Sequence, residues 1–189
     1  MKFNQPIRFL IVFITVLLFC TACQNKKPKN PINNWKNVKS WTFKGKMAIN
    51  DGNNNGSGRV EWLVSLNNIQ AQFKAPLGQG SWEIFEFENS AKLHSSINGE
   101  TNADNAELLI SNELGWHFPW NSLQYWLRGH KTNETITSIS QPKSDFMDAN
   151  WHISYTQWMP SPLGLLPKKI TASNPPYSVK LIIYKWDFE

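Results

Sequence analysis

The side chains able to do bond chemistry are few in this sequence and stand far apart. The four histidines, His94, His117, His130 and His152, are scattered and show no metal-ligand spacing. His117 lies in Gly-Trp-His-Phe-Pro and reads as a packed or surface turn. Ser57 stands in Gly-Ser-Gly without a nucleophile-elbow pattern around it, so it reads as turn chemistry. Asp145 and Asp148 read as surface carboxylates. No catalytic constellation emerges, and the expectation is a protein that is not an enzyme. The two cysteines, Cys20 and Cys23, differ in context: both lie at the end of an apolar run near the N-terminus.

That run has the order of a targeting segment. Lys2 and Arg8 flank a short basic region, and Phe9 to Phe19 is apolar but too short to span a bilayer comfortably. Cys20-Thr21-Ala22-Cys23 follows and resembles the lipobox of bacterial lipoproteins, with a cysteine where leucine is usual. The chemistry of such a site requires a thiolate, the nucleophile that takes a diacylglyceryl group. Further acylation of the amino group gives more than one chain, which makes anchoring stable. Gln24 stands where an aspartate would resemble an inner-membrane retention signal, so sorting to the outer membrane is expected, facing the periplasm. Gln24 to Asn34 is polar, holds two prolines and lacks apolar periodicity, as a tether does. The expected organisation is a lipoprotein signal peptide over 1–22, a lipidated Cys23 with its tether over 23–34, and one folded domain over 35–189. Cleavage before Cys23 leaves a single cysteine, so the core alone must hold the domain.

Composition agrees with one such domain. Of 189 residues 17% are charged and 13% aromatic, and ten are tryptophan. This chain can build a core and still have flat side chains left to line a cavity. The formal charge is +5, falling to about +3 without Lys2 and Arg8. No basic run with interleaved aromatics points to nucleic acid. A solvated basic surface is the plain reading; attraction to anionic lipid or an acidic partner stays open.

Periodicity places the elements. Trp41, Phe43, Met47 and Ile49 share one face of a strand, with Gly45 between them; Val60, Trp62, Val64 and Leu66 alternate, as do Ile69, Ala71, Phe73 and Ala75. Asp51 to Gly56 and Asn67-Asn68 are turns by composition. After Pro76-Leu77-Gly78-Gln79-Gly80 the alternation resumes over 82–87 and 91–97. The spacing predicts a helix over 103–114, capped by Asn102 or Asp104, and a second short helix after Pro119-Trp120, capped by Asn121 or Ser122 and stopped at Gly129. Further strands are expected near 135–140, 151–158, 168–172 and 178–186. Strands, then helices, then strands, without βαβ alternation, imply one large antiparallel sheet with helices against one side.

Several segments together resemble the LolB family of outer-membrane lipoprotein receptors. They are Trp41 to Ile49, Gly58-Arg59-Val60-Glu61-Trp62, Ala75-Pro76-Leu77-Gly78, Asn121 to Gly129, Leu166-Pro167-Lys168-Lys169-Ile170 and Leu181 to Trp186. They cover nearly the whole folded part in order. The pattern departs at Ala149-Asn150-Trp151, where the family tends to a compact glycine-tryptophan turn. The resemblance implies a mainly β fold with a few helices: an incomplete, curved antiparallel β-barrel with helices covering the open side. It implies a receptor that accepts acylated lipoproteins from the periplasmic carrier LolA and inserts them into outer-membrane phospholipid as a monomer, without cofactor, metal or nucleic acid.

Leu77 is the residue to single out. Between Pro76 and Gly78 a tight turn can project one side chain, and the resemblance implies an exposed leucine used in membrane delivery. The alternative is a leucine folded onto the core. Trp62, Phe73, Trp82, Phe85, Leu109 and Trp126 are candidates for an acyl-chain cavity wall, although an aromatic on a strand face is more often plain core. Lys44 or Arg128 at the mouth could meet the carrier. A competing class is a structural or assembly lipoprotein that binds a protein partner and no lipid. A lipid-modifying enzyme is disfavoured by the missing constellation.

Overall fold

The structure, a computed structural model, describes residues 34–53, 55–117, 119–134 and 144–189. The leader, Cys23, all but the last residue of the tether and the strand expected near 135–140 lie outside the described residues. Among the described residues ten strands form one antiparallel sheet. In chain order they are β1 Ser40–Asn50, β2 Asn55–Ser65, β3 Asn68–Lys74, β4 Ser81–Phe87, β5 Ser90–Ser95, β6 Gly99–Ala103, β7 Asp145–Asp148, β8 Trp151–Ser161, β9 Gly164–Asn174 and β10 Tyr177–Phe188. Two helices, α1 (Ala106–Leu114) and α2 (Trp120–Leu127), fall between β6 and β7. The spatial order is β6-β5-β4-β3-β2-β1-β10-β9-β8-β7, so among the described residues the sheet is open, with β6 and β7 at its edges.

Strict alternation accounts for the two faces. Trp41, Phe43, Met47 and Ile49 are buried on β1, Val60 and Trp62 on β2, and Ile69, Ala71 and Phe73 on β3. The register of β1 on β10 slips between Lys44 and Gly45. This bulge lets Leu181, Ile183 and Trp186 of β10 all point inward. Two glycines permit the close approaches that a curved sheet needs. A Cβ on Gly45 would collide with the Ile182 carbonyl, and one on Gly58 with the Lys74 carbonyl and the Phe73 ring.

The helices cover the inner face. α1 begins at Ala106, not Ala103, because 99–103 pair with β5 as the edge strand β6. Its cap is Asn105, whose side chain accepts from Leu108 N at 2.9 Å, and Gly115 ends it at φ 67. α2 starts at Trp120 behind Pro119 and buries Ser122, so neither Asn121 nor Ser122 caps it. Leu66 does not extend β2: it sits in the β2–β3 turn at φ 54 and is 81% exposed. β5 likewise stops at Ser95, leaving Ile97 exposed in the next turn. The short strand β7 had no clear alternation to reveal it. It turns into β8 through Ala149 (φ 47) and Asn150 (φ 66), a two-residue hairpin of the primed kind. The chain therefore keeps a compact turn where it departs from the family pattern.

Candidate functional site

The inner face carries a continuous aromatic cluster. Trp62 lies 4.3 Å, ring centre to ring centre, from Trp120 of α2 and stacks on Phe43 at 6.3 Å. Phe73 and Trp82 are cross-strand partners on β3 and β4 and stack at 5.2 Å. Trp116, in the link between the helices, sets its edge against both, at 5.9 and 5.6 Å. Trp126 of α2 approaches Trp151 at 6.0 Å, and Leu109 of α1 is buried in the same core. Five of the six wall candidates are thus brought together and buried. Phe85 is the exception and corrects the expectation. Strand alternation turns it away from Trp82 and Ile84, and on the opposite face of β4 it pairs in register with Gln70 and Lys92.

Polar groups inside this cluster are few. Glu86, which shares the inward face with Trp82 and Ile84, accepts from the Trp120 indole N–H at 2.6 Å and from the Ala106 backbone N–H at 3.1 Å. One carboxylate so ties the first residue of each helix to β4, and at α1, where it meets a backbone N–H of the first turn, the helix dipole also favours it. Asp148 is more than a surface carboxylate. It accepts from the Trp126 indole at 2.8 Å and from the Thr132 N–H and hydroxyl at 2.7 and 2.6 Å. Burial would raise its pKa, but these hydrogen bonds and the Lys131 charge outweigh burial and hold it below the usual value. Tyr155 donates to the Trp126 carbonyl at 2.7 Å, and burial pushes its hydroxyl pKa far up. The indole N–H groups of Trp35, Trp62 and Trp82 are buried and have no partner among the described residues.

Of the two cations proposed for carrier docking, neither is free. Lys44 pairs with Glu61 at 2.7 Å. Arg128 lies over the rings of Trp35, Trp41 and Tyr125 at 5.3 to 5.7 Å, and burial lowers its pKa to about 10. The histidines stay apart, and among the described residues no group of His, Cys, Asp or Glu is placed to hold a metal.

The loop between β3 and β4 is the second feature. Ala75 N donates to Gly80 O at 2.9 Å and Gln79 N to Pro76 O at 3.1 Å, which closes the loop on itself. Leu77 sits at its tip at φ 53 and ψ 27, 97% exposed. Ile97, 74% exposed, touches the same loop at Gly80 and was not anticipated. Its only signal was an apolar residue just before Asn98-Gly99. Below the loop, on the sheet face away from the helices, runs a groove of about 980 Å³. No helix among the described residues is long and apolar enough to cross a membrane.

Comparison with known proteins places this arrangement. The chain is 25% identical to the outer-membrane lipoprotein LolB of a Marinomonas species over 185 residues, covering 95% of this chain and 96% of that one. It is 32% identical to the outer-membrane lipoprotein LolB of Cellvibrio japonicus over 158 residues, covering 79% and 78%. A solved DUF1329 family protein from Desulfovibrio piger overlaps 81% of this chain and 87% of its own at 5% identity and a TM-score of 0.45, too loosely to bear on the site. The family described as outer membrane lipoprotein LolB matches residues 39–186, from just before β1 into β10. A family match over most of the chain and a relative at 32% identity settle the lineage: the chain belongs to the outer membrane lipoprotein LolB family.

Proposed function

We propose that this protein is an outer-membrane receptor that accepts acylated lipoproteins from a periplasmic carrier of the LolA kind and passes them into the membrane. Residues 1–22 act as its leader, Cys23 carries its lipid, and 23–34 tether the domain, which works as a monomer. The role is binding and hand-over without bond chemistry. Leu77 carries the reading. A leucine at 97% exposure in the left-handed region gains nothing from the core, and an apolar tip of this kind is suited to enter a bilayer interface.

The aromatic interior supplies the other half. Acyl chains need apolar area without strict shape, and each buried CH₂ contributes roughly 0.8 kcal/mol. Aromatic rings offer such area. The buried N–H groups of Trp62 and Trp82 lack acceptors among the described residues, a condition that costs roughly 1–3 kcal/mol each. The carbonyl of an acyl ester or amide would satisfy them. Hand-over from a carrier then requires only tighter binding here, and about 1.4 kcal/mol gives a tenfold preference.

The test is a transfer assay. The chain without its leader, with Cys23 replaced, is mixed with carrier loaded with an acylated lipoprotein, and a pull-down locates the cargo. Cargo on this protein is expected. Cargo left wholly on a cognate carrier would sink the reading in favour of an assembly lipoprotein.

A further inference from the structure

The face of the sheet turned away from the helices carries an unusual charge pattern. In register across five adjacent strands stand Lys169 on β9, Ile182 on β10, Lys46 on β1, Arg59 on β2 and Lys74 on β3. All five are exposed. Lys180 lies beside them on β10, opposite Ala48. At about 4.8 Å per strand, Lys46, Arg59 and Lys74 fall within about 10 Å of one another. Like charges directly opposed across strands destabilise a sheet. None of these five cations makes an ion pair among the described residues. Neutralisation was within reach: two residues along the same strands, Lys44 faces Glu61 and pairs with it at 2.7 Å. Lys46, Arg59, Lys74 and Lys180 line the groove below the Leu77 loop, and no acidic residue does.

We propose that this cationic row is a docking surface for the phosphate groups of anionic phospholipids, set against the leaflet that Leu77 enters. The inference rests on the reading of Leu77 as a membrane-entering residue. Two observations favour lipid over an acidic protein as the occupant. The apolar tip Leu77 lines the same groove, Ile97 lies beside Gly80 on its loop, and Ile182, 39% exposed, interrupts the cations. Apolar tips beside unpaired cations match the acyl boundary and the headgroup layer of a leaflet.

The full chain is reconstituted into vesicles of phosphatidylethanolamine mixed with phosphatidylglycerol, or with phosphatidylcholine in its place. Amine-reactive labelling is then read lysine by lysine. Labelling of Lys46, Lys74 and Lys169 is expected to fall several-fold in the anionic vesicles and to recover at high salt. The ion-paired Lys92 and Lys185 should not change. Equal labelling in both vesicles, or protection that appears only when a carrier protein is added, overturns the proposal.

A Lys46→Gln/Arg59→Gln/Lys74→Gln variant supplies a second arm. Each cation near an anionic leaflet is worth about a fivefold change in affinity, so cargo delivery should lose its preference for phosphatidylglycerol acceptor vesicles. The melting temperature should hold or rise, because opposed like charges are removed; a fall would mark the row as structural and overturn the proposal. If this variant matches the wild type while Leu77→Glu slows delivery, the cationic row is wrong and the receptor reading stands. If Leu77→Glu has no effect on delivery, the reading of Leu77 fails, whatever the lysines show.

Discussion

Leu77 is held where an L-residue with a Cβ loses roughly 1–2 kcal/mol of conformational energy, and its side chain meets solvent instead of a partner. Such a placement adds nothing to the fold's stability. Leu77→Glu is expected to leave the urea midpoint within about 0.5 kcal/mol of wild type while slowing delivery to liposomes roughly tenfold or more, since interface burial of a leucine is worth about 1.5–3 kcal/mol. Delivery at the normal rate would remove Leu77 from the mechanism. Asp148 is the opposite case, a carboxylate whose worth is internal. Its pKa is lowered in the folded chain from the usual 3.8, so its contribution is present above that value and is lost as the pH falls through the lowered one. Asp148→Asn should flatten the acid limb of the stability–pH profile between those two values. Urea titrations from neutral to acid pH check this, and parallel limbs in the two proteins would contradict it.

Among the elements, the two helices depend on one strand residue. Glu86 accepts from the first residue of each, and hydrogen bonds to a charged group contribute about 1.5–3 kcal/mol. Glu86→Ala is expected to cost about 2–4 kcal/mol in chemical denaturation. A loss below about 1 kcal/mol would mean that apolar burial alone docks the helices. The β7–β8 hairpin offers the reverse experiment. Ala149 occupies φ 47, where glycine fits without steric cost. Ala149→Gly should therefore raise the unfolding free energy by about 0.5–1 kcal/mol, and a lower urea midpoint would show that the turn is not strained.

For the whole molecule, the two faces of the open sheet differ in chemistry. The inner face, with Trp62, Phe73, Trp82 and the rings around them, is apolar and closed by α1 and α2. The outer face carries the cationic row, and the Leu77 loop lines the same groove as Lys46, Arg59 and Lys74. Curvature at Gly45 and Gly58 links the two. Both glycines immediately precede cations of the row, Lys46 and Arg59, and each lies against a further member of it, Gly45 against Ile182 and Gly58 against Lys74.

The sequence by itself determined what depends on neighbours along the chain. Period-two alternation assigned Trp41, Phe43, Met47 and Ile49 to one face, and Pro76-Leu77-Gly78 marked a tight turn, because strand pleat and turn sterics act over a few residues. Phe85 falls outside the inner face because strand parity, set by Trp82 and Ile84, overrides its aromatic type. The sequence alone begins α1 too early because 99–103 are polar, and only their pairing with β5 makes them a strand. The structure alone decided the cross-strand relations: Glu86 reaching Trp120, Asp148 reaching Trp126, and Lys46, Arg59 and Lys74 forming one row. Such meetings follow from strand register, bulges and sheet curvature. Those are set by the fit of the whole core, which no short stretch of sequence records.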